Sequence, residues 1–244
     1  MPAVLVAILA VEVIDARRQS GIPFEPPPRG PQEYGSGPLL DYVVLGDSTA
    51  VGQGAPYERG IAVSTARHLS ARGRRVRLVN LAVSGAAADD VVDHQLERAA
   101  RRRPELVLIA VGANDAIRLR RPGRVRADLE RAVESLVRAR CRVRIVLTGS
   151  PELGGVRVAA QPLRTLLGAV ADHMNDGAFT PVVATQTNVT FAPIARETGA
   201  AFERDASLFA ADGFHPSERG YATWLPVLER AIDEALAREP RGCG

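Results

Sequence analysis

The chain contains no lysine: every one of its 31 basic residues is arginine. That absence excludes several chemistries at once, because no Schiff-base lysine, Ser-Lys dyad or phosphate-loop lysine is available. Histidine and cysteine are nearly as scarce. His68, His94, His173 and His215 are widely separated and no CxxC occurs, so neither a zinc site nor a disulfide framework is expected. The two thiols, Cys141 and Cys243, would fall just before a strand and just after the last helix, at the same end of a sheet. Sequence does not show whether their Cα atoms come within about 7 Å, so a single bridge stays open although the unpaired state is favoured. No internal repeat is visible. A net charge of +3 gives no ground for a nucleic-acid partner, and no metal or cofactor is expected.

With 244 residues and a hydrophobic share of 46%, the chain can bury one sizeable α/β core, whereas two domains would be cramped. Residues Met1 to Ile14 are apolar apart from Glu12. No basic region precedes them and no small-residue cleavage site follows, so a signal peptide is poorly supported. A crossing needs roughly 20 apolar residues, so residues 1–16 read as the end of a truncated membrane anchor, the alternative being a helix lying on the domain. Residues 17–40 include the Pro/Gly-rich run FEPPPRGPQEYGSGP and read as a linker. The folded domain is expected over 41–238 with a short tail at 239–244, and a tethered, cell-envelope location is favoured over a cytoplasmic one.

From Asp41 onward, short β-rich runs alternate with helical patterns. The runs are Tyr42 to Leu45, Val76 to Val83, Leu106 to Val111, Val143 to Thr148, and a short fifth ending at Phe202. Continuous apolar runs mark strands buried on both faces, and intervening helices supply the crossovers that parallel strands require. The expected fold is a three-layer α/β/α sandwich. Leu129, Ala132, Val133, Leu136 and Val137 follow helical spacing, as do Tyr221, Trp224, Leu225, Leu228, Ile232, Ala235 and Leu236, all read as core.

Ligands of open parallel sheets bind beyond the carboxyl ends of the strands. Four such positions carry chemistry: Ser48 in GDSTAVGQG, Gly85 after Val83-Ser84, Asn114 in GAND, and Asp212 with His215 in DGFHP ahead of the final helix. A serine at a strand-to-helix turn is commonly just a helix cap, and an asparagine after a strand commonly makes an Asx-turn. Four blocks in this order argue for the functional reading. Asp47 and Asp115 read as supports of their turns. Pro216 disfavours helical geometry at His215 and suits the first position of the helix behind it.

In these blocks the chain resembles the SGNH (GDSL-type) hydrolase superfamily over roughly residues 41–237. The QPLR wording at Gln161 to Arg164 and the DGFHPS ending resemble actinobacterial members with an N-terminal apolar segment. The resemblance implies a flavodoxin-like fold with a five-stranded parallel sheet and a carboxylic ester hydrolase. Ser48 would be the nucleophile, His215 the general base and Asp212 its orienting partner. The oxyanion hole implied is the backbone N–H of Ser48 and of Gly85 with the side-chain amide of Asn114. The substrate would be a small-molecule, lipid or glycan ester. An acyltransferase, a thioesterase or a carbohydrate deacetylase would carry the same residues. A phosphate or nucleotide binder fits poorly, since the third glycine of GxGxxG is missing and nothing in it needs DGFHP. The arginines at 118, 120, 121, 124 and 126 suggest attraction of an anionic substrate group or lipid surface.

Overall fold

A computed structural model describes residues 26–238; the apolar segment 1–16, the first part of the linker and the tail lie outside them. The strands are β1 (Gln32–Tyr34), β2 (Leu39–Gly46), β3 (Arg75–Asn80), β4 (Leu106–Ala110), β5 (Arg144–Leu147) and β6 (Val189–Phe191). The α-helices of at least four residues are α1 (Ser48–Val51), α2 (Ile61–Ala71), α3 (Leu96–Arg102), α4 (Ala113–Ile117), α5 (Pro122–Ala139), α6 (Leu163–Met174), α7 (Thr180–Thr185), α8 (Ile194–Arg204) and α9 (Glu218–Ala237). Among the described residues no helix is long and apolar enough to cross a membrane.

The sheet runs β1-β3-β2-β4-β5-β6, with β1 antiparallel to β3 and all other neighbours parallel. The five parallel strands thus take the flavodoxin-like order, which crosses over between β2 and β4 and opens a crevice at their carboxyl ends. Every residue of β4 is buried, as is every residue of β2 from Tyr42 to Gly46. Helices cover both faces: α2, α8 and α9 on one side, and α3, α5 and α7 on the other. This two-sided cover explains the unbroken apolar runs. Truncating a central residue such as Ile109 to Ala would cost about 2–5 kcal/mol, because few neighbours can close the gap.

Three expectations are corrected. The sheet has six strands, because Gln32–Tyr34, within the stretch read as linker, pairs with Leu78, Arg77 and Val76 on the β3 edge. The fifth parallel strand is Val189–Phe191, not the run ending at Phe202, which lies inside α8. There Ile194, Thr198 and Phe202 are buried at four-residue intervals, which is helical spacing. Cys141, read as unpaired, is disulfide-bonded, and Cys243 lies outside the described residues.

Candidate active site

The turn between β2 and α1 is set by Gly46. Its φ of 139° lies where side chains are strained, and a Cβ there would stand 1.9 Å from the Ala110 carbonyl oxygen. The next residue, Asp47, donates its N–H to that same oxygen at 3.0 Å. Asp47 is extended and caps α1: its Oδ1 accepts from Thr49 N at 2.9 Å and from Thr49 Oγ1 at 2.8 Å. With the capping role taken by Asp47, Ser48 is the first residue of the helix, and its side chain is turned into the crevice at only 6% exposure.

His215 reaches the same point from the other end of the chain. The loop before α9 is closed by Ala210 N on the His215 carbonyl at 2.8 Å and by a bridge between Phe209 and Pro216. Ser217, not Pro216, stands at the helix entry, its Oγ accepting from Gly220 N at 3.2 Å. Within the loop Asp212 Oδ1 accepts from Phe214 N and His215 N, both at 3.0 Å, and Oδ2 faces His215 Nδ1 at 2.5 Å. The far ring nitrogen, Nε2, lies 3.0 Å from Ser48 Oγ. Burial pushes the Asp212 carboxyl upward, but the imidazole and the two backbone donors outweigh it and hold the group below its ordinary value. An ionised Asp212 only accepts, so Nδ1 carries the proton and Nε2 is left with a lone pair aimed at the serine hydroxyl. That arrangement can take a proton from Ser48 and hand it to a leaving group.

The β3 and β4 ends complete the crevice. Gly85 has a φ of 83°, and a Cβ there would meet nothing within 4 Å, so glycine is required by conformation and not by space. Its carbonyl accepts from Arg118 Nη2 at 2.7 Å. Asn114 Nδ2 donates to Ala86 O at 3.1 Å, which uses one of two amide hydrogens. Asp115, fully buried, receives Ala88 N on both oxygens at 3.2 and 3.1 Å. Arg120 binds Asp115 at 2.8 Å and also Asp89 and Asp128, each at 2.9 Å. Burial pushes Asp115 upward even so. The arginine singled out for anion attraction at position 120 is therefore spent inside the protein, locking the loop that follows β3 to the loop that follows β4.

Ser48 and His215 open into a cleft walled by Leu153, Phe202, Phe209, Phe214 and Trp224. Among the described residues no arginine lines it, and Glu152 is the acidic residue in its wall. Glu152 is tied to Gly154 N and, at 2.7 Å, to Gly155 N, and burial pushes its carboxyl upward. Sequence reasoning missed the aromatic part of this wall. Trp224 was read as core, which is true of one side of its ring, with 4% exposed; Phe209, Phe214 and Glu152 sit in loops without periodicity. Among the described residues no group of three or more metal-ligating side chains occurs.

Of the residues expected from sequence, Ser48, His215 and Asp212 stand in one hydrogen-bonded line, and Gly85 and Asn114 are joined through the Ala86 loop beside it. The sequence model of the GDSL-like Lipase/Acylhydrolase family matches residues 44–223. A GDSL-like esterase of Mycobacterium tuberculosis is 31% identical over 235 residues, covering 88% of this chain and 73% of that protein. Two solved structures share the fold at low identity. A phospholipase A1 from Streptomyces albidoflavus has a TM-score of 0.58 at 21% identity, over 79% of this chain and 99% of that one. A family 3 carbohydrate esterase from Clostridium thermocellum has a TM-score of 0.60 at 16% identity, over 82% and 98%. The chain belongs to the GDSL-like lipase/acylhydrolase family, within the SGNH superfamily, and is a carboxylic ester hydrolase of that type.

Proposed function

We propose that the protein is a serine esterase acting through an acyl-serine intermediate. The observation that carries this reading is the imidazole of His215 held between Ser48 Oγ at 3.0 Å and Asp212 Oδ2 at 2.5 Å. Ser48 Oγ attacks the ester carbonyl as His215 Nε2 takes its proton, and the imidazolium returns that proton to the departing alcohol oxygen. Water then repeats the sequence on the acyl-enzyme and releases the acid. Charge on the tetrahedral oxygen is met by the N–H groups of Ser48 and Gly85 and by the remaining amide hydrogen of Asn114. The aromatic wall suits an uncharged apolar part of the ester. An anionic group would meet no arginine among the described cleft residues and would approach Glu152.

The test is hydrolysis of p-nitrophenyl esters from acetyl to palmitoyl by the full chain, beside Ser48→Ala. Release of p-nitrophenolate that disappears in the variant is expected, with the most active chain length reporting the depth of the cleft. Equal rates in both proteins would sink the reading. Activity that appears only when a sugar or lipid hydroxyl is supplied would identify the acyltransferase form of the same chemistry.

A further inference from the structure

Beyond Val44 opposite Asn80, the ladder between β2 and β3 ends. The chain after β3 still donates Val83 N to Gly46 O at 3.1 Å, but Gly46 N has lost its strand partner two residues before the nucleophile. A side chain fills the rung. Gln95, 1% exposed, receives Gly46 N on Oε1 at 2.9 Å and donates Nε2 to Gly46 O at 2.8 Å. It closes a π-helical turn, Val91–Gln95, that runs into α3. A widened turn of this kind changes which residues face inward, and here Val91 and Gln95 are the buried ones.

On the other side of Ser48, Asn80 Nδ2 donates to Ala50 O at 2.8 Å. The nucleophile is thus bracketed by two buried primary amides, one anchored two residues before it and one two residues after. Neither is near enough in sequence to be a local turn contact: Gln95 is 49 positions from Gly46 and Asn80 is 30 from Ala50. Both groups that Ser48 must present, its hydroxyl to His215 and its N–H to a developing oxyanion, depend on where this short backbone segment stands.

We infer that Gln95 is a positioning residue for Ser48, acting through a two-point clamp on the Gly46 peptide groups; the inference rests on the serine reading above. Without the clamp the segment keeps only its downstream anchor, and displacement of a reacting atom by about 1 Å can cost up to about 100-fold in rate. The ester should still enter the cleft, which Gln95 does not line.

Two variants of the full chain test this. Gln95→Met keeps length and burial but offers no donor for Gly46 O and only a weak thioether acceptor for Gly46 N. It is expected to lower kcat for p-nitrophenyl acetate by about 10- to 100-fold with KM nearly unchanged. It should also slow phosphorylation of Ser48 by diethyl p-nitrophenyl phosphate, in which the serine oxygen displaces p-nitrophenolate from phosphorus. Gln95→Glu adds a readout that a purely structural role would not give. When protonated, its carboxyl presents one acceptor and one O–H donor, as the amide does; when ionised it has no donor for Gly46 O. Its kcat divided by that of the wild type should therefore rise as pH falls from about 8 to about 5, across the range expected for a buried carboxyl. Native kcat in a folded Met variant, or a flat ratio in the Glu variant, overturns the inference. Should the Met variant not fold, the ratio decides alone. A wild-type protein that never releases stoichiometric p-nitrophenolate from the phosphate would overturn the serine reading itself, and the clamp with it.

Discussion

Two aspartates, each within three positions of a candidate catalytic side chain, are buried to similar depth and pushed in opposite directions. Asp212, in the loop before α9, is 5% exposed and held below the ordinary carboxyl value; Asp47, at the turn into α1, is 1% exposed and raised to about 6. Burial pushes both upward, so depth does not separate them. Donors do. Asp212 uses both oxygens, one for two backbone N–H groups and one for the imidazole. Asp47 accepts twice on Oδ1 while Oδ2 has no partner, and Asp115 nearby raises it further. The signs of linkage follow. Asp212 contributes stability that is present above its unfolded value and lost as pH falls through its lower folded one. Asp47 binds its proton more tightly in the folded state, so its ionisation removes stability as pH rises from about 4 to about 6.

The comparison breaks most sharply at Asp212→Asn. Phe214 N and His215 N both donate to Oδ1, which keeps the amide oxygen there and turns the NH₂ toward His215 Nδ1. The ring must then accept at Nδ1 and carry its proton on Nε2, where it cannot take one from Ser48. A wrong tautomer of this kind has cost about 10⁴ in kcat in a serine protease, and a loss of that order, with the protein still folded by circular dichroism, is expected in p-nitrophenyl acetate turnover. A loss below about ten-fold would show that Asp212 is not what sets the tautomer.

The same contrast marks what can be read from residues alone. DGFHP shows both partners of the Asp212 pair because they are three positions apart, and the buried strands announce themselves as apolar runs bounded by polar turn residues. Chemistry held by distant contacts leaves weaker marks. Gln95 is one polar letter on the apolar side of a helix, next to Leu96, and its partner is 49 positions away. The edge strand Gln32–Tyr34 and the last strand Val189–Phe191 have three residues each, too few to display alternation. The first also sits among prolines and glycines that read as linker. Arg120 belonged to a charge run that usually marks a solvated face, and only the fold brings Asp89, Asp115 and Asp128 around it.

Asp47→Asn tests the other half of the comparison through stability. The amide keeps an oxygen for Thr49 and removes the ionisation. A shift from 3.8 to about 6 corresponds to roughly 3 kcal/mol between the two protonation states. Wild-type stability minus that of the variant, from urea unfolding at about pH 4 and about pH 7, should therefore fall by an amount of that order as pH rises. Any fixed cost of burying the amide N–H groups is the same at both pH values and drops out. Parallel pH profiles for the two proteins would mean that Asp47 is not ionising in this range.

Thr49→Val gives the smallest and most specific change. It removes the hydroxyl that donates to Asp47 Oδ1 at 2.8 Å and leaves the backbone donor at 2.9 Å. A hydrogen bond to a charged group contributes about 1.5–3 kcal/mol, and this one favours the ionised carboxylate over the neutral acid. The variant should lose about 1–2 kcal/mol at neutral pH and less near pH 4, where Asp47 holds its proton in either protein. In wild type, Asp47 titrates midway through that interval; in the variant the titration should move upward.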